Sequence, residues 1–275
     1  MSAIAPAMTG AAAPNAPAGL ARVRWTVTDT LTLTRRNLLA IVRIPESLFF
    51  STVQPVMFVL LFRYVFGGSI HPGNGVAYVD YLMPGIFVQT VAFGAVSTSI
   101  GLAEDLQKGL IERFRTLPMA RSAVLAGRTT ADLVRNVAVV IIITGVGFAV
   151  GFRPGGTVVS YVSALLVILL FAYALSWGFA EIGLSAPNSE TAQIMSFPLL
   201  FPLTFASSAF VPPSQMPSWL SGFATYQPVS ATVTACRDLM LGHPAGSWIV
   251  QSVVWSAGLL VVLSPLAVWR YRSRT

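Results

Sequence analysis

The chain has 275 residues, of which 55% are apolar and 10% charged, against about 25% charged in a typical globular domain. Its net charge of +7 is spread by topology and not gathered in one patch, which fits an anionic membrane surface and not nucleic acid. The single cysteine, Cys236, excludes an internal disulfide framework.

The predicted elements run in chain order as follows. Residues 1–21 are rich in Ala, Pro and Gly and lack the basic region and continuous apolar stretch of a secretory signal, so they read as a disordered tail. Residues 22–45 form an amphipathic helix. Arg22, Asp29, Arg36 and Arg43 recur every seven residues on a polar stripe, while Val27, Leu31, Leu38, Ile41 and Val42 gather opposite. A basic helix of that kind lies in the membrane interface. Residues 46–275 then hold six apolar blocks, each of the length that crosses a bilayer core of about 30 Å. The blocks are Ser47–Phe66, Tyr81–Ala103, Val134–Phe152, Val159–Phe179, Thr191–Phe210 and Trp248–Trp269. A polar stretch, Glu104–Asp132, separates the second block from the third. Val211–Pro244 is too broken to span, and its Trp219, Phe223 and Tyr226 suit an interface or a re-entrant element between the fifth and sixth spans.

Orientation comes from the basic residues. Fourteen of seventeen lie before the first block, between Lys108 and Arg135, or after the last block. Six spans place all three regions on one side, which the positive-inside rule makes cytoplasmic. The expected fold is therefore an all-α membrane protein with six transmembrane helices and both termini in the cytoplasm.

No hydrolytic site is visible. The one lysine, Lys108, follows Gln107 and not a glycine-rich run, so no phosphate-binding loop exists. No serine sits in a Gly-x-Ser-x-Gly elbow. The six blocks carry Gln54, Gln89, Gln193 and Gln251 but no mid-membrane charge of the kind an ion-driven carrier uses. Transport energy is therefore expected from a partner protein, and no metal or other cofactor from this chain; His71 and His243 lack any ligand cluster.

The expected contact is the central polar stretch. Leu106, Leu110, Phe114 and Leu117 form an apolar ridge on a short helix, flanked by Glu112 and Arg113 and ended by Pro118. Such a ridge can lie in a groove of a soluble partner or pack on its own bundle.

Gly109-Leu110-Ile111-Glu112-Arg113, followed by Leu117-Pro118, Arg121 and Leu125-Ala126-Gly127-Arg128, resembles the signature loop of ABC-2 type transporter permeases. Pro212, Met216-Pro217-Ser218-Trp219-Leu220, Gln227-Pro228-Val229 and Arg237 resemble that family's segment between the fifth and sixth spans. Gln227-Pro228-Val229-Ser230 and the overall size resemble the daunorubicin/doxorubicin-resistance subgroup; polysaccharide-export permeases share the architecture.

The resemblance implies the permease subunit of an ATP-driven exporter in a bacterial plasma membrane, paired with a second permease copy and two cytoplasmic ATPase subunits that bind ATP and Mg. It implies that Leu106, Leu110, Glu112, Arg113, Phe114, Leu117, Pro118 and Arg121 belong to the coupling helix and its return. The helix carrying Arg22, Arg36 and Arg43 would touch the ATPase as well. An interior of Phe, Met, Leu and glutamine suits an amphipathic drug-like or lipid-like substrate, with Gln54, Gln89 and Phe93 as lining residues. The alternatives are glycoconjugate export, a secondary carrier and a non-transporting scaffold of the same fold.

Overall fold

A computed structural model describes residues 20–43, 45–68, 75–110 and 121–273. Every regular element among them is helical. In chain order these are α1 (Leu20–Arg43), α2 (Pro45–Leu61), α3 (Tyr78–Gln107), α4 (Arg121–Ala149), α5 (Val158–Ser185), α6 (Ser189–Phe205), α7 (Ser218–Tyr226), α8 (Pro228–Leu241) and α9 (Gly246–Ser273). A π-helical turn, Phe62–Phe66, extends α2, and a 3₁₀ turn, Pro213–Gln215, precedes α7.

Among the described residues four helices, α3, α4, α5 and α9, are long and apolar enough to cross a membrane. At 30 residues, α3 is about 45 Å long and exceeds the hydrocarbon thickness. It is buried along nearly its whole length, from Tyr78 to Ala103, and forms the axis of the bundle. Around it stand α4, α5, α6 and α8. By contrast, α9 buries Ser252, Ser256, Ala267 and Tyr271 and exposes Val254, Val261, Val262 and Trp269. A wall of exposed aliphatic and aromatic side chains is intelligible only in an apolar solvent, where burial gains nothing for them.

The bundle has two chemically different ends. The basic end gathers α1, the close of α3, the start of α4 and the close of α9. The cap end gathers the α4–α5 turn, the π turn, α7 and α8. At the cap end α8 is buried from Val229 to Cys236, while α7 leaves Trp219, Phe223 and Tyr226 exposed. The expected broken segment is therefore two short helices parted at Gln227-Pro228, where proline cannot donate to the preceding turn.

One expectation needs correction. The third apolar block was placed at Val134–Phe152 with a polar loop before it, but α4 begins at Arg121. No proline interrupts Arg121 to Phe148, so the helix runs through the charged residues and carries them into the bundle. Along α1, Asp29 and Arg36 turn partly inward and Leu33, Thr34 and Asn37 are buried, while Val27 and Leu31 are exposed.

Candidate functional site

A cavity of about 370 Å³ lies between α2, α3, α4 and α6, within the size range of small-molecule sites. Gln54 and Gln193 stand at its exposed mouth, and Gln89, Arg135 and Asn136 form its buried wall. Phe58, Phe93 and Phe197 supply the apolar surface, with Phe93 and Phe197 edge to face at 6.1 Å between centroids. Of the residues expected to line a pathway, Gln54, Gln89 and Phe93 all line this one cavity.

The buried wall is built on a glycine. A Cβ at Gly94 would lie 2.5 Å from the Asn136 Oδ1 atom, closer than any side chain tolerates. The bare Cα lets Arg135 and Asn136 approach α3, and Arg135 Nη2 donates to the Gly94 carbonyl at 2.6 Å. The buried Nε2 of Gln89 and Nδ2 of Asn136 have no hydrogen-bond partner among the described residues, an uncommon condition for buried amides.

Arg135 also ends a line of alternating charges. Its Nη1 lies 3.2 Å from Asp132 Oδ1, and Thr98 donates to Asp132 Oδ2 at 2.6 Å. Arg128 reaches Asp132 and Asp105, each at 3.7 Å, and Arg36 of α1 reaches Asp105 at 3.5 Å. The line Arg36–Asp105–Arg128–Asp132–Arg135 thus ties α1, α3 and α4 together and runs from the basic end to the cavity wall. Its cavity end is the driest: Asp132 and Arg135 keep 1% and 6% of their side-chain exposure. Taking charges out of water is costly unless each is paired and hydrogen-bonded, and these are. The apolar blocks were expected to carry no mid-membrane charge, and these buried ion pairs were not anticipated. The signal was present as Asp132 and Arg135-Asn136 within an apolar run, hidden because the run was started two residues after Asp132.

The Gly127-Arg128 pair has a structural part in the same line. A Cβ on Gly127 would sit 2.7 Å from Leu33 Cβ and 3.1 Å from the Thr30 carbonyl oxygen, so α1 crosses α4 at this residue. Thr34 Oγ1 donates to the Gly127 carbonyl at 3.3 Å. A glycine at a helix crossing lets the two backbones meet, and Arg128 follows immediately to join the charges.

At the close of α3, Lys108 Nζ and Glu104 Oε1 pair at 2.5 Å on an exposed turn. The hydrogen bond and charge of Glu104 hold the Lys108 ammonium above its ordinary pKa. Leu106 packs partly buried against the cluster of Leu33, Leu102, Val124 and Leu125, and Leu110 is half-buried. Glu112, Arg113, Phe114, Leu117 and Pro118 lie outside the described residues, as do the side chains of Arg22 and Arg121; Arg43 is exposed. Where α5 and α9 close, Arg270 Nη1 donates to Glu181 Oε1 at 2.5 Å and to Ser185 Oγ at 2.6 Å.

Towards the cap end the cavity meets an aromatic stack. Phe58 lies 6.0 Å from Phe62, Phe62 is 4.6 Å from Phe210, and Phe205 is 5.3 Å from Phe210 and 4.3 Å from Phe201. Beside it Arg237 donates to the carbonyls of Tyr81 and Ser208 at 3.0 and 2.7 Å and lies 3.6 Å over the Tyr81 ring. Gln227 caps α8 through Val229 N and donates to the Leu203 carbonyl at 2.7 Å, near the loosened end of α6. The two sequence features singled out here, Gln227-Pro228-Val229 and Arg237, therefore hold the cap end together.

Long apolar helices around a partly polar cavity, with ion pairs buried among them, define a multi-pass membrane protein. The ABC-2 type transporter family matches residues 28–241, and the chain belongs to that family. It is 37% identical over 249 residues to the daunorubicin resistance ABC transporter permease protein DrrB1 of Streptomyces coeruleorubidus, covering 90% of this chain and 87% of that one. It is 26% identical over 254 residues to the probable doxorubicin resistance ABC transporter permease protein DrrC of Mycobacterium tuberculosis, covering 92% and 91%. The inner membrane transport permease YadH of Escherichia coli is 23% identical over 194 residues, covering 69% and 73%. The expected resemblance to drug-resistance permeases holds, and the chain is a transport permease by family.

Proposed function

We propose that this chain is the membrane subunit of an ATP-driven exporter and moves an amphipathic drug-like or lipid-like molecule out of a bacterial cell. In this reading α2, α3, α4, α5, α6 and α9 are six spans, the basic end and both termini are cytoplasmic, and α7–α8 form a re-entrant cap on the outer side. Two permease copies stand over two ATPase subunits, which bind ATP and Mg. The coupling helix is Leu106 to Pro118, with Leu110, Glu112, Arg113 and Phe114 at the contact and Leu117, Pro118 and Arg121 in the return to α4. The helix carrying Arg22, Arg36 and Arg43 lies on the inner interface with its apolar face towards lipid.

The observation that carries the reading is the charged line between the coupling segment and the cavity. Asp105 stands five residues before Leu110, on the helix that leads into the coupling loop. A displacement of that loop shifts Asp105 against Arg36 and Arg128, and the pairings pass the shift through Asp132 to Arg135 on the cavity wall. The partner supplies free energy, and the permease supplies different affinities for its substrate in two states. Substrate would enter between Gln54 and Gln193 and leave past the Phe58–Phe62–Phe210 stack.

The test is reconstitution with the ATPase subunit that co-purifies with the chain. Glu112→Ala or Phe114→Ala should abolish substrate-stimulated ATP hydrolysis while leaving helical content and melting temperature at wild-type values. Full transport with no ATPase subunit present overturns the proposal.

A further inference from the structure

We infer that the cavity selects an amphiphile whose polar end is an oxyanion, a carboxylate or a phosphate, held by Arg135 with the amides of Asn136 and Gln89. The inference rests on reading the cavity as the substrate path and adds the sign of the charge that it accepts.

Three observations combine. Gln89 and Asn136 are each 3% exposed, line the cavity, and keep a buried amide nitrogen without a partner among the described residues. Buried amides are normally satisfied, and both residues line the cavity, so a rotation of either side chain offers its spare N–H to a polar atom that arrives there. Two neutral amides alone would take any polar group; the third wall residue decides between them. Arg135 is a permanent cation, and among the described residues its pairing is a share of Asp132. That carboxylate is divided between Arg128 and Arg135 and also accepts from Thr98. Positive charge is therefore left over on the cavity wall, in a setting dry enough to strengthen it. Guanidinium with flanking amides matches a planar carboxylate or a phosphate face, whereas an ammonium there meets like charge. Phe58, Phe93 and Phe197 also line the cavity and take the apolar rest of the molecule.

The probe is a palmitate carrying a diazirine and an alkyne, added to the full chain in phosphatidylcholine nanodiscs and crosslinked by light. Labelled peptides should map to the segments holding Phe58, Phe93 and Phe197. Dodecyl phosphate should compete, and dodecyltrimethylammonium should not. Competition by phosphatidic acid built into the disc assigns the oxyanion to a bilayer lipid, and its absence assigns it to a free amphiphile; both support the anionic class. Labelling should fall about tenfold in Arg135→Gln, the loss of one charge-assisted contact, and less in Arg135→Lys, which keeps charge without the fork. Asn136→Leu, which leaves the ion pairs intact, should lower it several-fold, and Arg153→Gln at the cap end should not change it. Competition by the cationic amphiphile equal to that by dodecyl phosphate overturns the inference, a result that needs no variant to fold. So does wild-type labelling of folded Arg135→Gln and Asn136→Leu. Loss of ATPase coupling with anion-selective labelling intact would count against the exporter reading alone, and the converse against this inference alone.

Discussion

The two ends of the bundle are held by different chemistry. At the basic end, α1, α3 and α4 meet through charges that alternate in sign, Arg36–Asp105–Arg128–Asp132–Arg135, and α5 meets α9 through Glu181 and Arg270. At the cap end the joints are side chains donating to backbone carbonyls, from Tyr78, Tyr81, Gln227 and Arg237, beside stacked phenylalanines. A carbonyl is fixed to its helix, so a donor that leaves it loses the bond outright. A guanidinium between two carboxylates can lean towards either and stay paired. The carbonyl joint favours one geometry and the carboxylate joint tolerates two, which suits the basic end to the coupling role proposed for it.

That contrast can be broken from either side. The largest effect is expected for Asp132→Leu, which leaves Arg135 buried without its carboxylate and should cost about 3–5 kcal/mol, read as a large fall in melting temperature of the purified protein. The double variant Asp132→Leu with Arg135→Met should recover most of that stability, because an apolar replacement of a buried pair is often neutral, yet lose coupled ATP hydrolysis. Recovery of both would show that the charges serve stability alone. Next, Arg237→Met removes the guanidinium hydrogen bonds to the Tyr81 and Ser208 carbonyls, the latter still accepting from the Tyr81 hydroxyl, and should cost about 1–3 kcal/mol, with no dependence on salt and no defect in coupling beyond that loss.

Smaller effects follow at the α1–α4 crossing. Gly127→Leu forces α1 away from α4 and should cost about 1–3 kcal/mol through overpacking; hydrogen exchange should rise in α1 before any other helix. The smallest change in stability belongs to Arg36→Gln, whose partly exposed pair is worth about 0.2–1 kcal/mol. Its coupling should nevertheless drop, and high salt should reproduce the drop in the wild type because an exposed pair is screened. A wild-type level of coupling in Arg36→Gln would remove α1 from the relay.

Much of this was legible in the residues. The helices α3, α5 and α9 fall where apolar blocks of spanning length stand, since a segment without a polar face has few other stable placements. Val211–Pro244 was legible as too broken to span, while the point where its helices part, Gln227-Pro228, came from the structure. Gln54, Gln89 and Phe93 were each picked out as lining residues, polar or aromatic side chains in apolar helices. Arg135 was not, although it lies on the wall beside them. Its neighbourhood in sequence, from Lys108 to Asp132, is charged enough to read as a loop, and the start of α4 at Arg121 cannot be told from composition.

The sequence by itself thus determined the solvent, the helical class and the family, because these rest on local quantities: hydropathy, block length and motif spacing. Tertiary structure decided which polar residues meet. Asp105 and Arg128 are far apart in the chain and joined by a carboxylate–guanidinium contact only because α3 and α4 run antiparallel at close range. Whether a charge within a helix faces lipid, water or another charge depends on rotation about the helix axis, and packing sets that rotation. The same packing at Gly94 brings Arg135 and Asn136 to one wall and makes a cavity with a preferred sign of charge.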